Sequence, residues 1–185
     1  MTAGSSNPVP AAEPAPSSAA SSPTGWLRAT LISGLAGAFL VDIYLVITEG
    51  YFLHSGLTAQ GLSQWDASNF LGRAAFSGGW GTALLGMFFH AIVSLILAAI
   101  FVFAAIRWPG LRRLPLATGA AYGVVIRVVM AYAIVPLGRA KLPPHPTAIY
   151  LINNYLAHIL AFGIPVVWIA TRLLPKRPGT AAKAA

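Results

Sequence analysis

The sequence predicts an all-α protein: a four-helix transmembrane bundle with a short interfacial helix in its first outer loop and a disordered N-terminal tail. Three observations carry this. Of 185 residues, 57% are hydrophobic and only 9% charged, and the mean hydropathy is +0.72. A soluble domain of this length carries roughly a quarter charged residues, because its surface must be wetted. Four stretches reach the length of about 20 apolar residues that a helix needs to cross hydrocarbon. Their apolar runs are long and continuous, whereas barrel strands are short and alternate. Four acids and twelve bases cannot build a water-soluble exterior.

Residues 1–25 are mostly Ala, Ser, Pro and Gly. Such a segment buries too little surface to offset its ordering entropy, so a disordered tail is expected. Arg28 followed by an apolar run faintly resembles a secretory signal, but the long uncharged leader and the span's length favour a retained anchor. The predicted spans are residues 26–48, 81–106, 114–137 and 147–174, and together they form one membrane domain over 26–174. The first contains Asp42 and the third Arg127; the fourth contains Asn153, Asn154, His158 and a kinking Pro165. Thr147 is placed to cap the fourth span, and residues 175–185 form a basic tail.

Orientation follows from Lys and Arg near the span ends. Arg28, Arg107, Arg112, Arg113, Arg172, Lys176, Arg177 and Lys183 share one face; Arg73, Arg139 and Lys141 share the other. Both termini are therefore expected in the cytoplasm. The positive balance serves topology, and no basic patch with a recognisable module points to nucleic acid.

The first outer loop, residues 49–80, is long enough to hold structure of its own. Asp66 is expected to cap a short helix reaching Phe76, with Leu62, Trp65, Phe70, Leu71 and Phe76 against lipid headgroups. The segment either covers the bundle as an interfacial half-helix or acts as a lid over a site that opens outward. Gly78-Gly79-Trp80-Gly81 turns the chain into the second span, and Pro143, Pro144 and Pro146 stiffen the last outer hairpin.

Charged groups inside a span cost roughly 2.5–3.5 kcal/mol on insertion scales, so they face the bundle interior and pair. At about 1.5 Å per residue, Asp42, Arg127, His158 and His90 lie roughly 10, 13, 12 and 15 Å below the outer boundary. Four helices thus contribute one group each to one layer. Residues four apart share a helix face. Gly34, Ala38 and Asp42 form one stripe, and Gly86, His90 and Ser94 a second; Gly119, Gly123 and Arg127 form a third, and Asn154 with His158 a fourth. The small residues allow close helix approach, which predicts these stripes as interior faces.

Three uses of the layer stay open. In a structural one, Asp42 and Arg127 form an ion pair and the two neutral His find hydrogen bonds. In a second, the layer is a polar cavity, wet from outside, that binds or conducts a small solute or protons through Asp42, His90, Arg127, His158 and Asn154. In a third, His90 and His158 are axial ligands of a haem b in electron transfer, with Arg127 near a propionate. No cofactor is predicted beyond that option, and a metal site lacks a third ligand among these groups. His54 and His145 lie in outer loop regions as solvated residues. Without Cys, a Gly-x-Ser-x-Gly elbow, a phosphate-binding loop or a paired carboxylate at one depth, the sequence points away from an enzyme. Lipid is the expected partner, with a second copy or a membrane-complex subunit as the other option.

Several strings resemble a group of bacterial four-span integral membrane proteins without an assigned activity. They are Leu71-Gly72, the run from Ala75 to Gly86 with His90 following, Tyr122-Gly123, Val129-Met130-Ala131-Tyr132, Val135-Pro136-Leu137, Ile152-Asn153, Ala157-His158 and Gly163-Ile164-Pro165. The similarity spans roughly residues 49–172. Ala131 stands where the group's pattern has Asn, and Asn154 where it has Gly. The resemblance implies the four-span topology and a bacterial inner-membrane address, and it directs attention to His90 and His158.

Overall fold

The computed structural model describes residues 23–140 and 146–175. The tail before residue 23, Lys141, the prolines at 143 and 144, His145 and the basic tail from residue 176 lie outside the described residues. Among those described, there are four helices long and apolar enough to cross a membrane and no strand. The chain is an all-α, multi-pass membrane protein built as a four-helix bundle.

Helix α1 runs Pro23–Leu45 and continues as a π-helical segment, Val46–Phe52. Helix α2 is Ala59–Leu71, followed by a 3-10 stretch, Gly72–Ser77. Helix α3 spans Gly79–Arg107. Helix α4 covers Pro115–Val129, widens to π geometry over Met130–Ile134 and ends in the turn Val135–Leu137. Helix α5 starts at Ala148–Leu156, widens over Ala157–Gly163 and closes as Ile164–Leu173. Each span thus lies within a few residues of its expected bounds. The Thr147 hydroxyl accepts from Tyr150 N at 3.1 Å and caps α5, as the sequence predicts.

The wide turns have local causes. Pro136 has no N–H for the carbonyl four residues back, and its ring crowds that carbonyl, so the ladder beneath it loosens over Met130–Ile134. Pro165 acts the same way on Ala157–Gly163. In α1 the Thr48 hydroxyl donates to Tyr44 O at 2.8 Å and competes with the backbone for that acceptor. The next turn slips, and Leu53 N bonds to Thr48 O at 2.8 Å, five residues back.

The stripes of small residues do face neighbouring helices. A Cβ at Gly34 would sit 3.0 Å from Leu95 and 3.1 Å from Ala98 of α3, while Gly37 faces Val166 and Phe162 of α5. Helix α1 therefore lies between α3 and α5. Helices α4 and α5 meet backbone to backbone: a Cβ at Gly119 would be 2.6 Å from Ile164 Cα, and one at Gly123 2.6 Å from Ile159 Cα. With no lipid-excluding force between helices, such close packing supplies the contact.

The end of the bundle near the chain termini is filled by apolar side chains, among them Ala29, Phe101, Val102, Val167 and Ala170. Tyr122 of α4 packs on Phe101 and donates its hydroxyl to Leu97 O of α3 at 2.5 Å. This bond ties α3 to α4 across the bundle. Tyr122→Phe should lower stability in detergent by about 1 kcal/mol, read as a reduced Tm with the same far-UV spectrum.

Helix α2 departs from expectation at its start. Asp66 is not its N-cap. Thr58 takes that role, with extended backbone (φ −107°, ψ 162°) and its hydroxyl accepting from Gly61 N at 3.0 Å. The cap sits eight residues earlier because Thr58 follows an irregular stretch of chain, whereas Asp66 is already mid-helix. Glu49, expected at the loop's beginning, belongs to the π segment that lengthens α1.

Candidate functional site

At the α2 end of the bundle lies a cavity of about 820 Å³, bordered by all five long elements. Its floor is apolar, from Val41, Leu97, Ile126 and Phe162, and its other end reaches the exposed stretch Ser55–Thr58. Asp42, His90, Arg127, Asn154 and His158 all border it. The candidates read from depth and helix face are therefore brought together. All three π segments also contribute: Glu49 from the first, Met130 and Ala131 from the second, His158 and Phe162 from the third. Wide turns are rare and recur at functional sites, since the extra residue re-aims side chains.

The pairing inside the layer differs from the expected one. Asp42 does not pair with Arg127. Its Oδ1 lies 3.4 Å from His90 Nε2, and His90 Nδ1 lies 3.6 Å from Asp66 Oδ2. The helix order explains this: Gly34 sets the Asp42 face of α1 against α3, whereas α4 packs its Arg127 face on α5. His90 is thus flanked by two carboxylates from different elements.

Asp66 is one of the groups that sequence reasoning left out of the site. Helix α2 reaches α3 at Gly86, where a Cβ would collide with the Ser63 carbonyl oxygen. Gln64 secures the contact by donating from Nε2 to Gly79 O at 3.0 Å. The docking turns Leu62, Trp65 and Asp66 to the cavity, so Leu62 and Trp65 do not lie on a headgroup surface as expected. Phe70 stacks on Phe89 of α3 at 4.0 Å and stays half exposed, as do Leu71 and Phe76.

Burial pushes the Asp66 carboxyl up to about 7; His90 pulls it down and Asp42 pushes it up. A carboxyl raised on folding favours the native state most when protonated. That contribution is complete below the ordinary carboxylate value and is lost as pH climbs through about 7. Thermal stability in detergent with chelator should fall between pH 4 and pH 8 by a few kcal/mol, and Asp66→Asn should flatten the profile.

Arg127 is only 5% exposed, yet no carboxylate among the described residues lies within salt-bridge distance of it. Its guanidinium sits 5.4 Å from the centre of the Tyr155 ring, and its Nε has no hydrogen-bond partner. Nearby, His158 Nδ1 donates to Asn154 O at 2.8 Å, which leaves Nε2 as the ring's acceptor. On the same helix as His158, buried Asn153 donates from Nδ2 to Thr48 Oγ1 at 3.0 Å and to Glu49 Oε1 at 3.3 Å. Glu49 and Asn153 were also missed: Glu49 reads as a loop residue until the α1 extension is seen. His54 is exposed, with φ 51°, and does not border the cavity.

The site has two poles. One is acidic, with His90 between Asp42 and Asp66. The other holds Arg127 beside Tyr155 and near His158, with Glu49 and Arg127 both acting on Tyr150. No family model matches the chain, and neither does any curated protein or solved structure.

Proposed function

We propose that the protein is a membrane receptor or carrier for a small solute, which enters the cavity at the α2 end and anchors an oxyanion on Arg127. The carrying observation is that buried guanidinium with no anionic partner. A buried charge costs several kcal/mol unless something neutralises it, and a carboxylate or phosphate-type group fits a guanidinium fork. The apolar floor and the filled terminal end support uptake from one side. With both termini cytoplasmic, as the basic residues favour, that side is the exterior of the membrane. Membership of the bacterial four-span group, and an inner-membrane address with it, belong to the same proposal.

The test is thermal unfolding of the detergent-solubilised protein across a panel of small oxyanions, including acetate, phosphate and sulfate. A ligand at a hundred times its Kd stabilises the native state by about 2.7 kcal/mol. At least one oxyanion should raise Tm saturably, with chloride at matched ionic strength inert. A panel without effect overturns the proposal. The haem reading draws less support, because both ring nitrogens of His90 face carboxylates. A reduced-minus-oxidised spectrum of the purified protein decides it. The structural-subunit reading also draws less, since Gly34, Gly86, Gly119 and Gly123 contact helices of their own chain.

A further inference from the structure

We propose that Asp42, Asp66 and His90 form a binding site for a divalent first-row transition metal such as Zn²⁺. One ligand atom from each residue lies within 4.8 Å of the others. They come from α1, α2 and α3, so the site exists only in the folded chain. The proposal does not depend on the oxyanion at Arg127, because Arg127 is not one of the three ligands.

The spacing itself argues for a metal. A charge-assisted hydrogen bond between imidazolium and carboxylate closes to about 2.7–2.9 Å. His90 Nε2 stands 3.4 Å from Asp42 and His90 Nδ1 3.6 Å from Asp66, so neither contact is a closed hydrogen bond; an ion can take only one ring nitrogen, and Nε2 is the one buried with no hydrogen-bond partner. Two ligands on a tetrahedral ion with bonds of about 2.0–2.1 Å are separated by about 3.3–3.4 Å. The 3.4 Å between His90 Nε2 and Asp42 Oδ1 is that separation. One imidazole with two carboxylates is a nitrogen–oxygen donor set suited to zinc, manganese or iron(II), not to a thiophilic ion. Two carboxylates balance the charge of a divalent cation in a setting that solvates charge poorly. Three protein ligands bordering a cavity leave a fourth position for water or for a solute donor, the arrangement of an open zinc site.

The chain is purified in detergent, stripped with chelator, given Zn²⁺ alone and desalted before metal analysis. One Zn²⁺ per chain is expected. His90→Gln and Asp66→Asn should each weaken binding at least about tenfold, since even groups that merely orient metal ligands are worth 10–100-fold. His54→Gln, in the exposed loop, should retain the full equivalent. A Co²⁺ titration of the unaltered protein needs no variant and should give the intense visible bands of a four-coordinate ion with nitrogen ligation. Absence of Zn²⁺ from the unaltered protein, undiminished binding in His90→Gln and Asp66→Asn, loss in His54→Gln, or a weak octahedral Co²⁺ spectrum would each overturn the site.

Discussion

Arg127→Met should make the ligand-free protein more stable while removing its response to oxyanions. The guanidinium is buried without a carboxylate partner, and its Nε is unsatisfied. Apolar replacement of buried ionic groups is often neutral or stabilising by about 1–4 kcal/mol. Against this stands the contact with Tyr155, of the kind worth about 0.5–2 kcal/mol. A net gain of about 1 kcal/mol follows, because Met keeps the length of the side chain and the floor beneath it is already apolar. Binding moves the other way. Loss of one partner of a buried charge pair costs about 2–5 kcal/mol, so affinity should drop at least about thirtyfold. Tm with and without the stabilising oxyanion reads both effects in one experiment. A variant that unfolds while the anion response persists would assign Arg127 to scaffolding.

The second large effect separates two glycines five residues apart on α3. Gly86→Ala places its methyl group on the Ser63 carbonyl oxygen, and that oxygen belongs to helix backbone that cannot rotate away. Overpacking typically costs about 1–3 kcal/mol, and here the relief is displacement of α2 as a unit. Gly81→Ala meets nothing within 4 Å and should gain about 0.5 kcal/mol from helix propensity. Opposite signs from the same added carbon would establish that α2 is held by close approach. Since Asp66 and Trp65 ride on α2, Gly86→Ala should also weaken Zn²⁺ binding and expose Trp65, seen as a red-shifted emission. If both substitutions behave alike, α2 rests on α3 without the contact described.

Much of the bundle was legible in the residues. Long apolar runs located the four spans, and the four-residue repeats at Gly34–Ala38–Asp42 and Gly119–Gly123–Arg127 located two faces that pack on neighbouring helices and reach the cavity at Asp42 and Arg127. Thr147 announced a helix start. Helix order was less accessible, because a stripe tells which face turns inward and not which helix meets it. That is why Asp42 was expected to find Arg127 and instead faces His90. Helix α2 was harder still. Its course rests on Gly86 receiving a carbonyl from a distant turn, a contact without sequence periodicity, and Asp66 mimics the capping residue that Thr58 supplies. Of the wide turns, two are marked in the sequence by Pro136 and Pro165, while the one that lengthens α1 past Glu49 is marked only by Thr48.

The apolar packing of Phe101, Val102 and Val167 has an electrical consequence. The membrane voltage drops across whatever part of a protein excludes water, at about 2.3 kcal/mol per elementary charge per 100 mV for a full crossing. With a water-accessible cavity above and this plug below, nearly all of the drop falls below the floor. An ion settling beside Arg127 or His90 would traverse little of the field, so its occupancy would track concentration on its own side and stay nearly constant as the cell polarises.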